Sequence, residues 1–261
     1  MSCNTILKEN LDYWTQRAPG YSAVNQEELR TRQREAWRSA LCEKIHRYFP
    51  DCAPSHLRVL EVGTGPGFFA IILAEAGYDV TAVDLTPNML REAKKNAGRL
   101  ADRIRFMEMN AEALDFEDAC YDVVVSRNLT WNLPHPETAY WEWARVLKPG
   151  GVLLNFDANW YGYLFDAQAQ AAFDADRQNT ADRGFADQNV GENFDVMEDI
   201  ARRVPLSSIL RPAWDIKVLS ALGLTVSADP EIWQQVWSEQ EKLNFASTPL
   251  FLVEAGKPLS N

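Results

Sequence analysis

Three glycines, in Gly63-Thr64-Gly65-Pro66-Gly67, follow the apolar run Val59-Leu60-Glu61-Val62, and a carboxylate, Asp84, closes the next apolar run. Glycine lets a backbone bend tightly and lets a ligand approach it closely. If a helix starts after the turn, its first amides are free to bond a polar ligand. A carboxylate ending the next strand can accept both hydroxyls of an adenosine ribose. The plainer readings are a tight turn with nothing bound and a helix cap at Asp84, though Thr86 and Pro87 already supply that helix start. Two chemistries fit these groups. One is hydride transfer by a nicotinamide enzyme, whose fingerprint is GxGxxG. This chain instead has Gly63-x-Gly65-x-Gly67, preceded by Glu61. The candidate general base is His135, in Asn132-Leu133-Pro134-His135-Pro136, since histidine takes up a proton near neutral pH; a loop histidine beside a helix start is the alternative. His46 and His56 precede the core and read as structural. Asn128 and Trp131 are placed to line an acceptor pocket. Trp160 and Tyr161, with Tyr163 and Phe165, form an apolar or cation-attracting wall, or else pack this segment onto the core. Cys3, Cys42, Cys52 and Cys120 show neither CxxC spacing nor a histidine cluster, so neither a metal site nor a disulfide framework is expected.

These groups need strands that end, and helices that begin, at one edge. Strands are predicted at Leu57 to Val62, Asp79 to Val83, Ile104 to Glu108, Tyr121 to Ser126, Val152 to Asp157, Leu224 to Ala228 and Leu250 to Glu254. Between them, helices are predicted at Phe68 to Ala76, from a Thr86 cap through Asn96, at Pro136 to Leu147, at Ala213 to Leu222 and at Pro230 to Leu243. Lys148-Pro149-Gly150-Gly151 reads as a turn, and Glu27 to Tyr48 as helical. Such alternation predicts an α/β fold, a doubly wound, mostly parallel seven-stranded sheet. Its strands are continuously apolar rather than alternating, as burial on both faces requires. Three parts follow: residues 1–56, an N-terminal helical lid; 57–157 with 213–261, the core; and 158–212, an acidic inserted cap, partly helical because a structureless loop of that length is unusual.

The order of these stations resembles the class I methyltransferases that use S-adenosylmethionine (SAM). Glu61-Val-Gly63-Thr-Gly65-Pro-Gly67 is similar to the family's first motif, and Val83-Asp84-Leu85-Thr86-Pro87-Asn88-Met89-Leu90 to its second. Asn110-Ala111-Glu112 follows the third strand. Phe116 through Arg127 is similar to the fourth motif, and Arg145-Val146-Leu147-Lys148-Pro149-Gly150-Gly151 to the turn before the fifth strand. The resemblance covers residues 57–157 closely and the last strand loosely. It implies a Rossmann-like core that binds SAM and releases S-adenosylhomocysteine. Gly63, Thr64, Gly65 and Gly67, behind Glu61, would line its methionine and ribose end. Asp84 would hold the ribose hydroxyls, Leu85 and Met89 would lie against the adenine, and Asn110, Ala111 and Glu112 would surround its edge. Ser126 and Arg127 would close the methionine end. Tyr13, Trp14, Arg17 and Tyr21 resemble the lid of small-molecule members of the family.

Composition narrows the acceptor. The 261 residues carry a formal charge of −11, which phosphate backbones repel. Ser126-Arg127-Asn128-Leu129 also departs from the Asn/Asp-Pro-Pro-aromatic run of the superfamily's DNA and RNA amino-methyltransferases. A small-molecule acceptor is therefore expected and a nucleic acid is not. No apolar run is long enough to span a bilayer and the first residues lack a signal-like h-region, so a cytoplasmic monomer or homodimer is expected. A nicotinamide-dependent oxidoreductase remains an alternative, although no Tyr-x-x-x-Lys arrangement is present. So does a non-catalytic SAM-binding regulator, because methyl transfer needs no diagnostic catalytic residue.

Overall fold

The computed structural model describes residues 3–187 and 194–259, so positions 188–193 of the expected cap lie outside the described residues. Helices α1 (Cys3–Arg30) and α2 (Gln33–Tyr48) precede β1 (Arg58–Val62). Then come α3 (Phe68–Glu75), β2 (Asp79–Asp84), α4 (Pro87–Ala97), β3 (Ile104–Glu108), β4 (Tyr121–Arg127), α5 (Pro136–Val146) and β5 (Leu147–Asp157). Helices α6 (Ala167–Asp182) and α7 (Phe194–Ala201) follow, then α8 (Ala213–Ala221), β6 (Thr225–Asp229), α9 (Trp233–Val236), α10 (Glu239–Asn244) and β7 (Phe251–Gly256). The strands make one seven-stranded sheet in the order β3-β2-β1-β4-β5-β7-β6. Only β7 runs antiparallel to its neighbours.

Alternate residues of each strand serve opposite faces. Val59, Val80, Val123, Val125 and Leu154 pack beneath α2, α3 and α9. Leu60, Val62, Val124 and Leu153 pack against α5 and α8. Each such side chain contributes about 1.5–3 kcal/mol by leaving water. The chain winds one way from β1 through β3 and the other way through β4 and β5. The order therefore reverses between β1 and β4, and ligands of such sheets sit at the carboxyl ends of the strands there.

Four elements differ from expectation. The helix expected from Glu27 is two helices, and the first begins at Cys3 and runs unbroken through Pro19. Proline has no N–H to give the carbonyl four residues earlier; here that carbonyl, on Thr15, accepts a bond from Asn88 Nδ2 of α4 at 3.0 Å. The expected turn at 148–151 lies inside β5 as an irregularity: Tyr121 pairs with Leu147 but Val123 pairs with Val152, and Gly150 takes φ +81°. The helix expected over 230–243 is split into α9 and α10, because Ser238 starts a new helix through a capping box with Glu241. Thr86 stands before α4 but its side chain makes no cap bond; its N–H instead donates to Asp84 Oδ1. Cys120, just before β4, is half-buried. No helix among the described residues is long and apolar enough to cross a membrane.

Candidate active site

The turn after β1 is held by its own backbone. The N–H groups of Gly63 and Thr64 both donate to Val83 O at 2.9 Å, tying the loop to β2. Gly63 and Gly65 have φ of +71° and +52°. A Cβ on Gly63 would lie 2.6 Å from the Leu129 side chain, so a side chain there would force the β1 and β4 loops apart. Asp84 closes the arrangement: its Oδ2 accepts the Gly65 N–H at 2.8 Å and its Oδ1 the Thr86 N–H at 2.8 Å. Burial raises its pKa against the pull of these two bonds. Below the loop, Glu61 accepts the Thr64 hydroxyl at 2.6 Å, and burial pushes its pKa up to about 8.

These groups surround a cavity of about 990 Å³. Glu61, Gly63, Thr64, Gly65, Asp84, Leu85, Met89, Asn110, Ala111, Arg127, Asn128 and Tyr21 all line it, as expected from the sequence. Helix α1 roofs it with Leu7, Asn10, Trp14 and Asn25, none of which except Trp14 was singled out beforehand. Three bonds of Asn96 pin this roof to the glycine turn: its Nδ2 donates to Ser22 Oγ and to Pro66 O of the turn, both at 3.0 Å, while its Oδ1 accepts from Gln26 at 2.9 Å. Arg127 reaches from β4 to pair with Glu28 of α1, lying over the Trp37 and Phe68 rings at 4.7 and 4.9 Å. The sequence reading missed Glu28.

A second cavity of about 500 Å³ adjoins the first through Trp14, Tyr21 and Asn128. Trp131, Trp160 and Tyr161 line it, beside Tyr163 and Phe194. Phe165, expected in this wall, faces solvent.

Five expected site residues line neither cavity. His135 is exposed, and its backbone N–H donates to Glu112 Oε1 at 2.7 Å; that bond turns Glu112 toward the start of α5 and away from the cavity. Ser126 is fully buried and donates to Val62 O at 2.8 Å, tying β4 to β1. Gly67 sits at the start of α3 with φ +91°, against Ala93 of α4. Tyr13 packs edge-on to Trp14, in a cluster with Trp131 and Ile200. Among the described residues no cluster of three His, Cys, Asp or Glu is placed to hold a metal.

The large cavity suits SAM. Asp84, a lining residue, is a carboxylate that ribose hydroxyls can donate to. Leu85, Met89 and Ala111 offer an apolar slot. The amide oxygens of Asn10 and Asn132, both lining residues, are buried without a partner, and buried acceptors without partners are rare unless a ligand supplies the donor.

A doubly wound sheet with a glycine turn and a strand-end carboxylate at its switch point defines a Rossmann-like nucleotide-cofactor domain. Comparison with known proteins narrows this. Residues 60–155 match the methyltransferase domain family, and the chain carries a class I SAM-dependent methyltransferase domain there. The ubiquinone/menaquinone biosynthesis C-methyltransferase UbiE of Bartonella tribocorum is 36% identical over 124 residues, 44% of this chain and 48% of that protein. The chain thus spans about half the length of this curated relative. A Haloferax volcanii methyltransferase solved with the Trm112 methyltransferase activator has the same fold: TM-score 0.59, 17% identity, 94% of this chain and 97% of that one. So does an S-adenosyl-L-methionine-dependent methyltransferase from Methanococcus maripaludis, with TM-score 0.56, 20% identity, and 95% and 94% coverage.

Proposed function

We propose that the chain is a SAM-dependent methyltransferase acting on a small-molecule acceptor. One observation carries this reading: the glycine turn, Asp84 and an apolar slot converge on a single cavity roofed by α1, which shares Trp14, Tyr21 and Asn128 with a second cavity. In this reading SAM supplies a methyl already activated by its sulfonium. The amides of residues 63–65 and the Asp84 carboxylate would hold its ribose and methionine portions, Leu85 and Met89 its adenine, and Arg127 its carboxylate. The chain's own contribution is then positioning and exclusion of water. Helix α1 roofs the cavity, and the aromatic residues of the second cavity hold the acceptor against the junction at Asn128. No described histidine lines either cavity, so orientation and desolvation carry the acceleration. The aromatic lining of the second cavity favours a small molecule, and the charge of −11 disfavours a phosphate polymer.

Calorimetric titration with SAM, S-adenosylhomocysteine and NADH tests the cofactor. Binding of the adenosyl ligands at about micromolar Kd, with none of NADH, is the expected result. Binding of NADH alone would overturn it. Loss of SAM on incubation with metabolite pools then separates an enzyme from a silent SAM-binding protein.

A further inference from the structure

Among the described residues, eight line the second cavity; seven of them are aromatic and none is a carboxylate. The nearby carboxylate of Glu198 is engaged elsewhere: it accepts the Tyr163 hydroxyl at 2.7 Å and pairs with Arg202. The positive charge of Arg17 also reaches Tyr161. Ring orientation says more. Trp131 and Tyr161 lie 5.0 Å apart at 33°, Tyr161 and Tyr163 5.9 Å apart at 36°, and Tyr161 and Phe194 6.4 Å apart at 36°. Tyr163 in turn stacks on Phe173 at 16°. A cage that holds a cation needs ring faces turned steeply inward to one point. Trp131, Tyr161, Tyr163 and Phe194 share an orientation and make a wall against which a flat ring can stack, while Trp14 and Tyr21, also in the lining, meet at 57°.

Asn128 stands where this wall meets the larger cavity. Its φ is +55°, a left-handed conformation that asparagine adopts more readily than most non-glycine residues. Its backbone N–H donates to Phe156 O at 2.8 Å, which fixes the turn. Its side chain carries one acceptor oxygen, Oδ1. That oxygen is buried and has no partner among the described residues. The site therefore combines a flat apolar wall with one acceptor that needs a donor.

We propose that the acceptor is a planar aromatic molecule bearing a hydroxyl or N–H group, its ring against the Trp131–Tyr161 wall and its donor on Asn128 Oδ1. This deepens, and rests on, the reading of the larger cavity as the cofactor site. The test is calorimetry on the whole protein, alone and saturated with S-adenosylhomocysteine. The probes are 2-naphthol and indole (flat donors), naphthalene (flat, no donor), cyclohexanol (a donor that is not flat) and choline (a cation). The flat donors are expected to bind about tenfold tighter than cyclohexanol, naphthalene or choline. Glycine suits the +55° backbone, so Asn128→Gly should keep the wild-type melting temperature yet lose the preference for 2-naphthol over naphthalene. Choline binding as tightly as 2-naphthol overturns the proposal, and so does a folded Asn128→Gly protein with an unchanged preference. The two readings fail separately. Asn128-dependent binding of 2-naphthol to a protein that ignores S-adenosylhomocysteine sustains the aromatic site and removes the cofactor. The reverse pattern removes only the aromatic acceptor.

Discussion

Asp84 is held at the cavity by two backbone bonds. Each of its oxygens accepts one backbone N–H, from Gly65 and from Thr86. Asn at this position must turn an NH₂ toward one of those donors. Asp84→Asn should therefore cost about 1 kcal/mol of stability, or ~2–4 °C in Tm, and weaken S-adenosylhomocysteine binding about tenfold or more. An unchanged Kd in the folded variant would remove Asp84 from the ribose. Glu61 makes a pH prediction. Burial holds its proton in the folded protein up to about pH 8, whereas its ordinary pKa is 4.5. The folded state is thus the better proton binder between those values, and stability falls as pH rises through that window. From pH ~6 to ~8, wild type should lose about 1–3 kcal/mol more than Glu61→Gln, which has no proton to lose. Parallel melting curves for the two proteins across that range would disprove the buried acid. Both residues were legible in the sequence because glycines and a strand-end carboxylate are tied to their chemistry by type and position. Asn10, Asn25 and Glu28 were not. They lie on the buried and half-buried stripe Leu7, Asn10, Leu11, Trp14, Ala18, Tyr21, Asn25 and Glu28, whose helical spacing is regular, but their polar side chains and the Pro19-Gly20 pair mask its periodicity.

At the scale of elements, α1 is a roof fastened by side chains rather than by a continuous apolar seam. On α4, Asn88 takes the carbonyl that Pro19 leaves open, and Asn96 joins Ser22 and Gln26 to the glycine turn. Each bond stabilises by about 1 kcal/mol net. Removing both residues, Asn88→Ala with Asn96→Ala, should speed amide exchange across residues 3–30 and weaken adenosyl-ligand binding, while β1 and β4 keep their protection. Equal loosening of roof and sheet would show that the roof is no separate unit. The strands were readable to within a residue or two at most ends, because doubly buried strands are apolar throughout. The bulge at 148–151 was not, since pairing register is set by the neighbouring strand. Nor was the break between α9 and α10, whose capping box lies inside a run that reads as one helix.

The whole molecule joins the segment after β5 to the core through a buried charge cluster at the root of the insertion. Arg211, at its end, is wholly buried between Asp157, the last residue of β5, and Asp215 of α8, with contacts of 2.6 Å to each. Tyr140 donates to Asp215, and Asn155 donates to the Tyr140 hydroxyl at 2.8 Å. The same Asp157 oxygen that meets Arg211 accepts the backbone N–H of Trp131, the residue at the head of the aromatic wall. The insertion, the core and the second cavity's Trp131 therefore share one carboxylate. Such a cluster contributes little beyond what apolar packing would give, but removing one member leaves charge buried and unpaired. Arg211→Ala strands two carboxylates and should destabilise by about 3–5 kcal/mol. Arg211→Met combined with Asp157→Asn and Asp215→Asn removes the charges together and should recover most of that loss. Because Asp157 also orients Trp131, the triple variant should still bind S-adenosylhomocysteine while its affinity for flat aromatic probes falls. If it regains stability and binds those probes like wild type, the cluster serves only to hold the cap.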